Sequence, residues 1–421
     1  MSALELLARG QRSATNPAAS PPGSAASRTW IVGLGAVVAL YAAAAITYAV
    51  HVPVGSSADE LSHLNYARII ADHFALPGAT VLERQQPPLY YLAGAGLLRA
   101  GAPDVALRLL SVALGAVAVI AVAISARLVA PRRPWLAPLA AAMLALLPGF
   151  QDTSASITDD SLAIAAGTVL ILLCLVVVRT TAPSRLLTLA CSVTAGVALL
   201  SKETDYSLVL LLAACVVWRW RARLHPADLA RLITPGVLIA GWWYVRNLVT
   251  FHQALPPLVA AGGSERPHLR HLGQVRGWVQ LNLRELFGPE RFQGGLVPLP
   301  RAGQVLLAVL LTALALLIAA GIIAALRNWA RWQVTLRAQC IVLSCAFLLA
   351  LGFSVANSVL VDLQPQMRYL LVAATAPALA AAWGTGPLVT RSRLAAVIGV
   401  GAALSALALS AVGINAALMG G

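Results

Sequence analysis

Long apolar runs separated by short polar stretches dominate the chain. An uncharged run of about 20 residues is long enough to cross roughly 30 Å of hydrocarbon as a helix. Such runs predict eleven spans, at approximately 29–50, 105–126, 134–150, 160–178, 186–201, 205–218, 232–247, 302–326, 338–359, 369–388 and 394–418. No stretch shows the alternating ten-residue pattern of an outer-membrane barrel. The pattern therefore predicts an all-α, polytopic transmembrane helical bundle.

The polar segments divide the chain further. Residues 1–28, rich in Ser, Ala and Pro, predict a disordered leader, and residues 29–421 predict one transmembrane domain. Two segments between spans are long, 51–104 and 246–301. Both are expected on the same side of the membrane, because an even number of spans separates them.

Each long segment contains a candidate interfacial helix. In the first, the apolar stretch 86–98 is too short to span, which favours a helix lying against or re-entering the interface. In the second, apolar residues recur at helical spacing with polar residues between them, which predicts an amphipathic cover helix. The apolar positions are Val275, Trp278, Val279, Leu283, Leu286 and Phe287.

Composition and charge agree with a membrane protein. The 421 residues are 59% hydrophobic and 11% charged, with a mean hydropathy of +0.80, which excludes a soluble domain and a disordered chain. More than half of the 30 Lys and Arg residues lie in segments on the N-terminal side, where Glu5 and Asp228 are the only acids. This asymmetry predicts a cytoplasmic N-terminus. The net charge of +14 is therefore a topology signal with some attraction to membrane lipid, and no nucleic-acid partner is expected.

The five cysteines all fall inside predicted spans, without a CxxC pair, and are expected to act as small apolar packing residues. The abundance of alanine and the preference for arginine over lysine suggest a bacterial source.

Polar residues near span ends gather on the outer side in this topology, although they are far apart in sequence. Ionisable groups at the membrane rim cost several kcal/mol to desolvate unless partners compensate, so they are candidates for function. The set is Asp59, Glu60, His63, Asp159, Asp160, Lys202, Glu203, Arg246, Asn247 and Arg368.

The stretch "SSADELSH" supplies two acids directly after the first span. Ser57 and Glu60 have the spacing of a capping box at the start of a short helix, so Glu60 serves either as a cap or in catalysis. Asp59 is expected in the first helical turn, with His63 and Tyr66 on the same face, which suits a general base. His63 is either a metal ligand beside Asp59 or its hydrogen-bond partner.

A second acidic position opens the fourth predicted span. Thr158 is placed to cap this helix, with Asp159 and Asp160 in its first turn. Capping explains one acid well and two adjacent acids less well.

Cations at outer span ends suggest an anion site. Arg246 and Arg368 end spans in "GWWYVRN" and "QPQMRYLL", and Lys202 lies in "LSKET". Arginine offers a planar fork for phosphate oxygens, and lysine a compact charge. Snorkelling to lipid headgroups is the alternative, but most cations already lie on the inner side, so phosphate binding is favoured.

These motifs, together with "PPLYYL", "RLLSVALG" and "DDSLAIA", resemble in order and sidedness the GT-C superfamily of polyprenyl-phosphate-sugar-dependent glycosyltransferases. The branch of protein O-mannosyltransferases and lipid A aminoarabinose transferases is most similar. The resemblance covers about residues 30 to 385. It differs from the larger members in lacking a folded soluble C-terminal domain, which leaves acceptor recognition to the two outer segments.

The resemblance implies inverting sugar transfer from a polyprenyl-phosphate donor on the extracytoplasmic face of a bacterial cytoplasmic membrane, in cell-envelope or cell-wall biogenesis. The acceptor is a lipid, a polysaccharide or a protein. Asp59 then matches the general base with Glu60 beside it, Asp159 or Asp160 the second acidic position, and Lys202, Arg246 and Arg368 the donor-phosphate cations. Tyr244 and Tyr369, beside two of these cations, are expected to line the site together with His63 and Tyr66. A divalent metal is left open, with Asp59, His63 and Asp159 as candidate ligands.

The main alternative is a transporter or flippase of a lipid-linked or anionic solute. Transporters tend to place polar groups at mid-membrane on interrupted helices, often in repeated halves. Here the charges gather at outer span ends, which favours the enzyme over the transporter. A non-enzymatic assembly factor is the third hypothesis.

Overall fold

The computed structural model describes residues 24–57, 59–78, 81–255, 272–286, 290–291, 295–296, 301–360 and 366–386, and these are almost entirely helical. The helices are α1 (Ser24–His51), α2 (Glu60–His73), α3 (Leu89–Arg99), α4 (Val105–Val129), α5 (Leu136–Ala145), α6 (Pro148–Ala155), α7 (Asp160–Val177), α8 (Arg185–Leu199), α9 (Tyr206–Trp220), α10 (Pro226–Phe251), α11 (Leu272–Glu285), α12 (Arg301–Asn328), α13 (Val334–Leu360), α14 (Arg368–Leu371) and α15 (Thr375–Gly384). One short antiparallel pair joins β1 (Glu290–Arg291) to β2 (Gly295–Leu296).

The chain is a multi-pass membrane protein. Within the described ranges, five helices are long and apolar enough to cross a bilayer, and α5 and α8 are shorter apolar helices. The five segments are Trp30–His51, Val105–Val129, Asp160–Val177, Leu311–Arg331 and Val334–Leu360.

Several predicted spans differ in detail from the helices. The span predicted at 134–150 ends earlier, because the chain turns after Ala145 and Pro148 begins α6. The span at 369–388 is divided between α14 and α15, and the one at 394–418 lies outside the described residues.

Other differences affect the segments outside the spans. Helix α1 already begins at Ser24, within the predicted leader, of which residues 1–23 lie outside the described part. The expected interfacial helix at 86–98 is α3, and its Tyr90 and Tyr91 are fully buried against α2 and α4. The predicted amphipathic helix is present as α11, and its Trp278 donates from Nε1 to Ser358 Oγ of α13 at 2.9 Å.

Helices α4 and α7 pack side by side in the core, with α1, α5 and α9 around them. Small residues permit the closest approach, which lies between α12 and α15. A Cβ added at Gly321 would fall 1.9 Å from the carbonyl oxygen of Ala380, and one at Gly384 would fall 2.0 Å from that of Leu317. Such close backbone contact is a common way for helices to associate in lipid.

The connections between these helices place the charged groups. The start of α2, the start of α7, the turn between α8 and α9, and α14 all meet at one end of the bundle. All five cysteines are described, and Cys174, Cys191 and Cys215 are buried among apolar side chains.

Candidate active site

Five charged side chains form a connected network at this end of the bundle. Asp59 Oδ2 lies 2.9 Å from Arg368 Nη2, and Arg368 Nε lies 3.3 Å from Asp160 Oδ2. Lys202 Nζ lies 2.8 Å from Asp160 Oδ1 and 2.9 Å from Asp159 Oδ1. Four segments that are remote in sequence therefore deliver three carboxylates and two cations to one place.

Asp59 has an unusual backbone conformation. Its φ of 57° lies in the left-handed region, which non-glycine residues rarely adopt, and it immediately precedes the first residue of α2. Such strain persists where surrounding structure holds it, and it is concentrated at functional sites. Asp59 therefore precedes the first turn in which it was expected, and its carboxylate, 42% exposed, reaches Arg368.

The predicted capping box does not form. Ser57 Oγ bonds Tyr48, Asp152 and Ser156, and α2 begins three residues later than Ser57. The Glu60 carboxylate bonds Arg108 and the backbone N–H groups of Gly55 and Ile157 in place of the Ser57 amide.

Glu60 is instead fully buried against Arg108 of α4. Its oxygens lie 2.7 and 2.8 Å from Arg108 Nε and Nη2, and they also accept the backbone N–H groups of Gly55 and Ile157. Arg108 additionally donates to three carbonyls at the end of α1, those of Ala49, Val52 and Pro53. Each Glu60 oxygen thus accepts one hydrogen bond from Arg108 and one from a backbone N–H group. These bonds fix the polypeptide around Asp59.

Arg108 is a residue that the sequence reasoning missed. It begins "RLLSVALG", and an arginine inside an otherwise apolar span is the signal that points to a buried partner.

The start of α7 holds the second acidic pair. Thr158 Oγ1 accepts the Asp160 N–H at 3.2 Å and donates to Asp160 Oδ2 at 3.1 Å, so this threonine acts at the helix start as expected. Asp159 and Asp160 are buried. Asp159 Oδ2 has no hydrogen-bond partner among the described residues, so one acceptor remains unused beside Lys202.

The charges set the protonation of the network. Burial alone raises the pKa of Asp59, but Arg368, His63 and Lys202 together lower it below its usual value. Burial lowers the pKa of Lys202, but Asp159 and Asp160 raise it above its usual value. Asp59 is therefore a carboxylate, and Lys202 an ammonium, at neutral pH.

Three of the predicted lining residues surround this network. His63 Nδ1 lies 2.7 Å from Tyr91 Oη, and the rings of Tyr91 and Tyr66 stack with centroids 3.9 Å apart. Tyr369 lies under Lys202, with Nζ 5.4 Å from the centroid of its ring. The rings of His63, Tyr66, Tyr91 and Tyr369 thus lie beside the charged groups and form an aromatic wall.

Arg246 and Tyr244 lie outside the ion-pair network. Arg246 donates to Asn247 Oδ1 at 3.0 Å, and its guanidinium carbon lies 5.0 Å from the centroid of Phe251. Arg84 approaches the same ring at 5.2 Å, which gives a second basic position. Tyr244 Oη bonds Tyr206 Oη at 2.8 Å and the carbonyl of Leu199.

Arg246 still acts on the site at a distance. Burial raises the pKa of Tyr66, and the charge of Arg246 lowers it in part.

The candidate metal ligands do not converge. Asp59 pairs with Arg368, Asp159 pairs with Lys202, and His63 bonds Tyr91. Within the described part of the chain, no group of three or more His, Cys, Asp or Glu residues has an arrangement that would hold a metal ion. Each of the three candidate ligands therefore has a partner of its own within the described residues, although Asp159 Oδ2 keeps an unused acceptor.

This membrane-embedded helical bundle, with acids and fixed cations gathered at one end, has the fold of the GT-C superfamily of membrane glycosyltransferases. The chain belongs to the dolichyl-phosphate-mannose-protein mannosyltransferase family, whose model matches residues 57–272. The sequence matches no curated protein.

Solved structures show the same fold. ArnT from Cupriavidus metallidurans in the apo state aligns with a TM-score of 0.54 and 17% identity over 89% of this chain and 63% of that one. The Archaeoglobus fulgidus oligosaccharyltransferase tethered with an acceptor peptide containing the NVT sequon aligns with a TM-score of 0.50 and 13% identity, over 92% of this chain and 55% of that one. The chain thus spans between about half and two thirds of the length of these structures.

Proposed function

We propose that the protein transfers a sugar from a polyprenyl-phosphate donor to an acceptor hydroxyl, with inversion, at the extracytoplasmic face of a bacterial cytoplasmic membrane. The observation that carries this proposal is the salt bridge between Asp59 and Arg368, which joins a base to a phosphate-binding cation. Family membership and the GT-C fold support it. The excess of arginine on the N-terminal side supports the orientation.

Arg368 is suited to the donor phosphate. The leaving polyprenyl phosphate gains negative charge as the sugar bond breaks, and a preorganised cation in a site of low dielectric stabilises that charge. Arg368 offers a planar fork of donors and is held by Asp160 from behind. Lys202 is buried against Asp159 and Asp160 at the start of α7. It adds positive charge to the site although its own side chain is not exposed to solvent.

Asp59 is suited to the acceptor hydroxyl. A general base must be ionised and within hydrogen-bond reach of the proton that it takes. The lowered pKa of Asp59 keeps it ionised, and its partly exposed carboxylate is open to an incoming hydroxyl.

Donor and base are coupled through Arg368. A donor phosphate that engages Arg368 competes with Asp59 for the same guanidinium group. As that ion pair weakens, the pKa of Asp59 rises and the carboxylate becomes a stronger base. Binding of the donor thus prepares Asp59 to accept the proton from the acceptor.

The proposal is tested with purified protein in vesicles, supplied with labelled polyprenyl-phosphate sugars and a cell-envelope extract as acceptor source. The measured quantities are sugar transfer and release of polyprenyl phosphate. Asp59→Asn is expected to reduce turnover at least about 100-fold while donor binding persists. Asp104→Asn is the matched control, because Asp104 also pairs with an arginine, Arg68, at 2.7 Å, outside the network. Turnover at the wild-type rate in Asp59→Asn would remove Asp59 from the mechanism.

A further inference from the structure

A cavity lies beside Arg368, between α6, the end of α11 and the start of α14. The space among its lining residues totals about 480 Å³, and part of this space is open to solvent. The end of α11 closes one side of it. Gly149 N–H donates to the Leu286 carbonyl at 3.0 Å, and Met367 N–H donates to Glu285 Oε2 at 2.6 Å.

The cavity wall is rich in hydroxyl groups. Ser57, Thr153, Ser156 and Thr158 all line it. Thr153 Oγ1 donates to the Gly149 carbonyl at 2.8 Å, and Ser156 Oγ donates to the Asp152 carbonyl at 2.6 Å. A hydroxyl that donates its proton to the protein still has lone pairs, so these oxygens present acceptors to a ligand.

Asp152 adds a carboxylate held in place by two hydroxyls. Tyr48 Oη and Ser57 Oγ both donate to Asp152 Oδ1, the latter at 3.0 Å. A carboxylate fixed in this way needs little reorganisation to accept further hydrogen bonds. Leu286, Met367 and Leu371 give the cavity an apolar side. Glu285 and Gly149 also line it, and Arg368 supplies donors at the edge shared with the charged network.

Acceptor oxygens beside an apolar wall complement one chemical class, a ring that bears hydroxyl groups on a hydrocarbon frame. We propose that this cavity binds the sugar ring that is transferred, with Thr153, Ser156 and Asp152 accepting from its hydroxyl groups. The position beside Arg368 places that ring next to the group assigned to the donor phosphate. The inference rests on the proposed function and identifies where its sugar specificity resides.

The test compares two lipids, a polyprenyl-phosphate hexose and the same polyprenyl phosphate without sugar. Their affinities for the purified protein are measured in detergent micelles. If the ring occupies the cavity, the wild type binds the sugar-bearing lipid more tightly, and Thr153→Val reduces that preference by about three- to tenfold. Ser156→Ala is a second variant with the same expectation.

Thr168→Val is the matched control. Thr168 is also buried in a helix and donates to the carbonyl four residues earlier, that of Ile164, at 2.8 Å, but it does not line the cavity. Its substitution should leave the preference for the sugar-bearing lipid unchanged.

The outcomes separate this inference from the proposed function. Binding of a soluble trisaccharide to the same proteins is also measured. If both cavity variants keep the lipid preference but bind the trisaccharide more weakly, the cavity belongs to an acceptor saccharide. If lipids and trisaccharide bind to the cavity variants as they do to the wild type, the cavity does not bind sugar. Failure of the wild type to bind either lipid would overturn the proposed function together with this inference.

Discussion

Asp59 and Arg368 are separated by 309 positions in the sequence, yet Oδ2 of the first lies 2.9 Å from Nη2 of the second. This pair joins a residue that follows the first span to a residue near the end of the described chain. Around it, Asp160 and Lys202 extend the network, so that each charge has an opposite charge beside it.

Arg368 is expected to determine donor affinity. Replacement by Gln removes the charge-assisted hydrogen bonds to phosphate, and binding of polyprenyl phosphate should weaken about 10- to 100-fold. Arg368→Lys should restore only part of the affinity, because lysine lacks the planar fork. Lipid titration of the purified variants measures this. Arg68→Gln, which breaks the pair with Asp104, is the control, and equal affinity of Arg368→Gln and wild type would refute the phosphate role.

Glu60 is expected to act mainly on stability. Removing one partner of a fully buried ion pair leaves an uncompensated charge, so Glu60→Gln should lower the free energy of unfolding by about 3–5 kcal/mol. The double variant with Arg108→Met should lose less than the sum of the single variants. Thermal unfolding in detergent measures both.

The control for this experiment is Asp228→Asn, which breaks a partly exposed pair with Arg231 and should cost about 1 kcal/mol or less. A Glu60→Gln protein that unfolds like the wild type but has lost turnover would return Glu60 to the chemistry.

Glu203 predicts a pH dependence of stability. Burial raises the pKa of this carboxyl from 4.5 to about 7, although Lys202 lowers it in part. Between these two values the unfolded chain is ionised at this position while the folded protein retains the proton. Stability therefore falls as pH rises through that window, and does not change further above it.

Glu203→Gln replaces the titrating carboxyl group by a neutral amide. The free energy of unfolding of this variant, relative to that of the wild type, should therefore increase by about 1–3 kcal/mol between pH 4.5 and pH 7.5. Unfolding midpoints at the two pH values measure the change. Asp72→Asn, at an exposed position, is the control, and a constant difference between Glu203→Gln and wild type would argue against the raised pKa.

Membrane sidedness can be tested with single cysteines. A cysteine in place of exposed Phe74, which follows α2, should react with an impermeant maleimide in intact cells. A cysteine in place of exposed Arg223, between α9 and α10, should react only after the cells are permeabilised. The native cysteines are buried or partly buried, so their background labelling should be low. The reverse pattern would place the network on the cytoplasmic side.

Topology was the strongest guide to the site, because a span prediction and the distribution of arginine place distant residues at one membrane depth. The proximity of Asp59 and Arg368 follows from this common depth. The choice of partners, Arg368 for Asp59 and Arg108 for Glu60, does not. The spacing of Ser57 and Glu60 indicated a helix cap, whereas Asp59 has a left-handed backbone at that point and Glu60 pairs with Arg108.

The cavity could not be read from the sequence for a different reason. Thr153 and Ser156 lie between the spans predicted at 134–150 and 160–178, in a segment to which no element was assigned. The helix that begins at Pro148 carries Thr153 and leads to Ser156. The place of Arg246 at a span end suggested a donor-phosphate cation. Its guanidinium group lies against Phe251 and outside the ion-pair network, and its role in phosphate binding stays a prediction.

The contacts of Arg108 also constrain how the protein is made. Its guanidinium group bonds one carbonyl in the last turn of α1 and two just after it, so α4 holds the polypeptide that leads from α1 to Asp59. The bend that carries Asp59 is therefore held by two helices that enter the membrane at different stages of synthesis, α1 first and α4 later.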